Sequence, residues 1–96
     1  MTQQVTVIAD TAVALKPLLE AAIKTELRML ELGVERTLQR LVAFEEQYSM
    51  RSEEFEQRFG KGDLIESLDF IEWWGEIKTY KLLKTQQQTL AGARLN

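Results

Sequence analysis

Neither cysteine nor histidine occurs anywhere in the 96 residues. Without cysteine there is no disulfide, no thiolate nucleophile and no sulfur ligand for a metal. Without histidine the chain also lacks the commonest general base near neutral pH and the commonest zinc ligand. Any chemistry would have to run on carboxylates, lysines, arginines and hydroxyls, and no pattern of these amounts to a catalytic or cofactor motif. The expectation is a non-enzymatic protein with no cofactor. Proline is almost as scarce, a single residue at position 17. No apolar run approaches the roughly 18 residues of a membrane span, and the N-terminus has no basic segment followed by an apolar stretch and a cleavage site. The expected location is the cytoplasm, away from any membrane.

What is present is the mixture of a folded domain, 45% hydrophobic and 28% charged residues with a net charge of -3. A single domain this short buries only about 60 to 65% of its unfolded surface, so pairing as a homodimer is a natural way to complete its core. The charge is uneven. Residues 49 to 76 hold three basic and eight acidic groups, and residues 77 to 96 hold four basic and none acidic. An acidic middle suits a basic protein partner, and the thinly charged tail makes a poor nucleic-acid site.

The pattern along the chain predicts an all-α fold: a long amphipathic helix over 14–48, a short helix over 52–59 and a C-terminal helix over 68–87, preceded by a strand or arm over 1–12 and followed by a tail over 90–96. Gln4 and Thr6 alternate with Val5 and Val7, as in a half-buried strand, which would pair most simply with its own copy across a dimer. The other reading of that stretch is a frayed arm. Pro17 places the start of the long helix near residues 13 to 16, because a proline further in removes a hydrogen bond. From there Leu27, Val34, Leu41 and Tyr48 recur every seven residues with Leu30, Thr37 and Phe44 between them, a pattern that packs helix on helix. With Val5 and Val7, Leu27, Leu30, Val34 and Leu41 are the candidate dimer interface.

Gly33 admits a second parse. A strand, a helix, a glycine turn and a helix is the order of a ribbon-helix-helix DNA-binding dimer, and Leu32-Gly33-Val34-Glu35-Arg36-Thr37 resembles the turn of that family. About 28 residues separate Val5 from Gly33, longer than the family's usual spacing, and one continuous helix is the preferred reading. In the alternative, Gln4 and Thr6 are the DNA-binding residues of a repressor.

Ser52 before Glu53 and Glu54 reads as the cap of the short helix, Gly60-Lys61-Gly62-Asp63 as its end, and Ser67 as the cap of the last helix. In that last helix Phe70, Trp73, Ile77 and Tyr80 form one stripe. Trp74 sits about 100° away from Trp73, so both indoles cannot enter one narrow core. Trp73 is the core candidate and Trp74 the partner-binding candidate. Glu66, Asp69, Glu72 and Glu76 recur at helical spacing. Such a row can hold a hard cation for a carboxylate metal-dependent enzyme, but a solvated acidic face that complements the helix dipole explains it without a site. Asp69, Glu72 and Glu76 join Trp74 as the expected partner surface.

Three segments together carry a further resemblance: Leu30-Glu31-Leu32-Gly33-Val34-Glu35-Arg36-Thr37, Phe44-Glu45-Glu46-Gln47-Tyr48-Ser49-Met50-Arg51-Ser52-Glu53-Glu54-Phe55 and Leu68-Asp69-Phe70-Ile71-Glu72-Trp73. They resemble a group of small, uncharacterised cyanobacterial and archaeal helical proteins of antitoxin type, encoded beside small toxin-like proteins. The resemblance covers roughly residues 28 to 83 and implies a partner-binding protein that neutralises a small toxin. It brings no catalytic or ligand residues with it.

The DNA-binding alternative makes its own prediction. A Gln4→Ala, Thr6→Ala variant loses binding to the chain's own promoter in a gel-shift assay if a paired ribbon reads the bases; unchanged binding removes that reading.

Overall fold

The computed structural model describes residues 9–93, with side chains from residue 14 onward. Three helices make up the architecture: α1 from Ala9–Tyr48, α2 from Ser52–Gly60 and α3 from Leu68–Ala91. The fold is all-α, a long helix, a short one and a C-terminal one, in the predicted order. Val5, Val7, Gln4 and Thr6 lie outside the described residues, and residues 9–12 of the expected strand or arm are helical, the first turn of α1.

The boundaries differ from the expected ones in instructive ways. α1 begins at Ala9 and not near residue 14, so that Pro17 stands inside it. A proline removes one rung of the ladder and crowds the carbonyl four residues back. That defect falls ahead of Lys24, where the end of α3 lies, on a part of α1 that α3 does not reach. α3 runs on through its glutamines to Ala91, so Leu90 and Ala91 belong to the helix and not to a tail. α2 gains only Gly60.

Both connections are closed by backbone. Ser49 takes up a left-handed conformation, φ 51°, and the Met50 amide reaches back to the Glu45 carbonyl at 3.2 Å. Gly62, at φ 79°, does the same for α2, with the Asp63 amide on the Arg58 carbonyl at 2.9 Å. This six-to-one bond after a left-handed residue satisfies carbonyls that a helix end leaves free. At the start of α3 the Ser67 hydroxyl accepts the Phe70 amide at 3.1 Å, the predicted cap. α2 departs from expectation here. Arg51 occupies its N-cap position without a side-chain bond. Ser52 is instead buried, its amide donating to Glu45 Oε2 at 2.9 Å and its hydroxyl accepting from Trp73 Nε1 at 3.0 Å.

α1 and α3 form an antiparallel pair, and the seven-residue pattern of α1 is spent on it. Leu30 and Leu41 are buried against α3 within one chain, and Leu27 and Val34 are half-buried beside them. The candidate dimer interface on these four residues is therefore an intrachain seam, because α3 offers the apolar stripe that a second chain was expected to supply. Gly33 lies in continuous helix, with no turn of the ribbon-helix-helix kind. Its lack of a side chain has a packing reason, since a Cβ there would sit 3.3 Å from Leu83 Cδ1. One turn on, buried Thr37 donates its hydroxyl to the Gly33 carbonyl at 2.8 Å and so enters the seam with its polar group satisfied.

The core is concentrated at the end of the pair where α2 crosses. Leu41, Phe55, Trp73 and Ile77 form its centre, and all eight aromatic side chains of the protein belong to it or pack on it. Trp73 and Phe55 are fully buried, their rings stacked at 4.0 Å and within 4° of parallel. Phe44 stacks on Trp73 at 5.5 Å, and Phe70 meets Phe55 edge-on at 5.2 Å. Phe55→Ala is expected to destabilise the protein by about 3 to 5 kcal/mol, the usual cost of emptying an aromatic site. Ser52→Ala, which strands the Trp73 indole N–H, should cost about 1 to 2 kcal/mol. Urea unfolding followed by circular dichroism measures both.

Candidate functional site

At 100° per residue α3 divides into four faces. The inward face carries Phe70, Trp73, Ile77 and Tyr80 and is committed to the core. The other three are open to partners to different degrees, and the predicted site residues are spread over two of them.

One flank bears the acids. Asp69 accepts the Tyr48 hydroxyl and, at 3.3 Å, the Gln47 amide. The hydrogen bond to the Asp69 carboxylate pushes the Tyr48 phenol above its ordinary value of 10, with burial and the nearby charge adding to it. Glu76 pairs with Arg40 at 3.2 Å, its other oxygen buried without a hydrogen-bond partner among the described residues. Glu72 is exposed. Together with Arg40, Phe44 and Gln47 these three acids line an open groove of about 540 Å³ between α1 and α3. Glu66 lies ahead of the helix and does not continue the row. Among the described residues no three acidic side chains gather into a group that could hold a metal ion. Two of the three acids expected to meet a partner thus tie α3 to α1, and Glu72 is exposed with no ion pair among the described residues.

The opposite flank bears Trp74, and here too the fold makes a claim on the residue. The indole is half-buried, tilted against Phe59 at 5.4 Å and lying over Gly60, where a Cβ would come within 3.6 Å of it. The Lys78 ammonium sits 4.1 Å from its ring centroid, a favourable cation over an electron-rich face. Lys78 and Lys81 converge on Glu56 of α2 at 3.4 and 2.6 Å. Trp74 therefore serves first to fasten α2 onto α3, and only its remaining edge is available to a partner.

The outward face was missed in sequence. Leu68, Ile71, Gly75 and Leu82 follow one another within about 60° on the side of α3 away from α1. Leu68 is 83% exposed, and Ile71 and Leu82 are more than half exposed. Ile65, just ahead of the helix, is 86% exposed. Among the described residues nothing lies within 4 Å of where a Gly75 Cβ would be, so they give no packing reason for glycine in mid-helix, where it costs about 1 kcal/mol. Isolated exposed leucines need no explanation, but a stripe of them along one face does. The signal was present as a second apolar series, opposite in phase to the Trp73 stripe.

No family model, curated protein or solved structure matches this chain. No helix among the described residues is long and apolar enough to cross a membrane.

The ion-pair cluster at α2 has a consequence for pH. The Lys81 ammonium bonded to Glu56 holds its carboxyl below the ordinary value of 4.5, against the opposing effect of burial and with Lys78 assisting. A carboxyl whose value is depressed by folding contributes stability that is complete above its unfolded value and is lost as the pH falls through the folded one. Stability measured by urea melts from pH 7 to pH 3 should therefore drop on acidification, and Glu56→Gln should flatten that drop while lowering stability at pH 7.

Proposed function

We propose that the protein is a non-enzymatic protein-interaction module that seats a partner on the outward face of α3. The observation that carries the reading is the stripe of Leu68, Ile71, Gly75 and Leu82, apolar, exposed and without a role in the chain's own core. A glycine at its centre leaves room for another backbone to approach closely, and flanking leucines and isoleucine supply the apolar anchors that interface centres use. Exposed Glu72 borders the stripe, and Asp63 and Glu66 stand near its start, so a partner with basic residues around an apolar patch is the complementary surface.

The finer reading is an antitoxin of the cytoplasm that neutralises a small basic toxin by covering it, with two copies of the chain as the working unit. It is supported by the resemblance of residues 28 to 83 to proteins of antitoxin type and by the excess of acids over residues 49 to 76. The deciding experiment is co-expression with the product of the neighbouring gene, followed by affinity pull-down and a growth assay. Growth arrest by the neighbour alone, relief when this chain is present, and loss of relief and capture in an Ile71→Asp, Leu82→Asp variant of unchanged helicity are the expected results. A neighbour that is harmless alone, or toxic regardless of this chain, removes the antitoxin assignment.

A further inference from the structure

The outward stripe of α3 is narrow and straight. Leu68, Ile71, Gly75 and Leu82 follow at steps of three, four and seven residues, which keeps them on one seam over about 21 Å of helix at 1.5 Å per residue. Past Leu82 the same seam turns polar, with Gln86 and Thr89. The ends of the sequence do not reach it. Gly33 of α1 lies against Leu83, and Ala9 is about 36 Å further along the helix, whereas residues 1–8 fully extended span at most about 29 Å. Residues 94–96 span at most about 11 Å, and Leu82 is about 15 Å back from Ala93.

We infer that the element seated on this stripe is an α-helix of a different protein, laid along the seam with its closest approach at Gly75 and with basic side chains on the flank of Glu72. This rests on the reading of the stripe as a partner seat and says what the seat holds. The shape selects a helix. The middle of α3 has no unpaired backbone groups, so an extended strand gains no main-chain hydrogen bonds by lying along it. A sheet face needs a broader patch, whereas two helices touch along a seam of this width. Gly75, exposed at the middle of the seam, lets two helix axes come to the near end of their usual separation of about 8 to 10 Å.

Charge selects a different protein over a second copy. Glu72 and Glu76 stand on one flank of the seam and Lys78 on the other. In an antiparallel self-pair centred on Gly75 like flanks meet, and Glu72 comes beside Glu76 of the second copy. In a parallel, in-register self-pair each seam residue meets its own copy, and Lys78 stands beside Lys78. Both arrangements set like charges together, which costs affinity. A helix with lysine or arginine on the meeting flank instead faces Glu72, an exposed carboxylate with no ion pair among the described residues.

The probe is a labelled helical peptide of about four turns with leucine at its a and d positions and lysine along one flank, and its control is the same peptide with glutamate for lysine. Fluorescence anisotropy with the full chain should show binding of the lysine peptide and several-fold weaker binding of the glutamate one, and Glu72→Lys should narrow that difference. Ile71→Asp, Leu82→Asp should abolish both. Gly75→Leu should raise the urea midpoint, because leucine favours helix and has open space there, and should nevertheless weaken the lysine peptide several-fold. Any self-association seen in sedimentation should be indifferent to Ile71→Asp, Leu82→Asp. No binding of the lysine peptide, binding that Gly75→Leu leaves unchanged or strengthens, or a dimer lost through the Ile71, Leu82 change overturns the inference. The seat itself fails differently. Capture of the neighbouring gene product that Ile71→Asp, Leu82→Asp does not affect removes the seat, whereas capture lost in that variant and indifferent to Gly75→Leu keeps the seat and removes the helix.

Discussion

The seat of Trp73 is the constraint on which the rest of the fold depends. Its indole is contributed by α3, is stacked on Phe55 of α2, lies against Phe44 and Tyr48 of α1, and donates its only polar hydrogen to Ser52 at the first turn of α2. One side chain therefore fixes the mutual position of all three helices, and it does so with both its apolar area and its hydrogen-bonding capacity used. A buried indole left without an acceptor would cost much of what its burial contributes. Ser52 in turn holds its place because its amide is bound by Glu45 of α1. The α1 to α2 connection and the core are thus one structure, and the left-handed Ser49 between them is the backbone conformation that lets Glu45 and Ser52 meet.

Outside this aromatic end the protein is held by less. The Gly33 to Leu83 contact, the self-satisfied Thr37 and Leu30 are the main packing along the remainder of the α1 and α3 pair. The ion pairs that decorate it, Arg40 with Glu76 among them, lie at or near the surface, where such pairs contribute about 0 to 1 kcal/mol. A molecule about 60 Å long, the length of α1, with its core at one end has a gradient of local stability along its axis. The outward stripe of α3 starts on the end where the core lies.

Much of the architecture was legible because local rules and packing agreed. Ser67 caps α3, Gly62 ends α2, and Trp73 and not Trp74 fills the core, each for the reason its neighbours in sequence suggest. The Leu27 to Tyr48 pattern was legible as a packing seam but not as to its partner, since a heptad says that a helix is needed and not which one. The outward face of α3 escaped notice in a related way. Apolar residues on two opposite faces blur the single stripe that a periodicity reading seeks, so Leu68, Ile71 and Leu82 passed unnoticed. Pro17 misled because a local cost was read as a boundary, and Ser52 misled because a good capping residue had a stronger use three-dimensionally, as the acceptor for a tryptophan. Acids at helical spacing were equally ambiguous. Asp69 and Glu76 form a row in sequence, but Tyr48, Gln47 and Arg40 claim them in space.

The antiparallel course of α1 and α3 also orders the sequence distances of their contacts. The pairs at the aromatic end are close in the chain, Tyr48 and Asp69 being 21 residues apart, and the separation widens steadily towards Lys24 and Ala91. Closing a loop costs entropy that grows with its length, and contacts near in sequence form faster than distant ones. The topology therefore favours a zipper: the end with the strongest packing is also the end that is cheapest to close, and each turn joined there shortens the loop that the next must close.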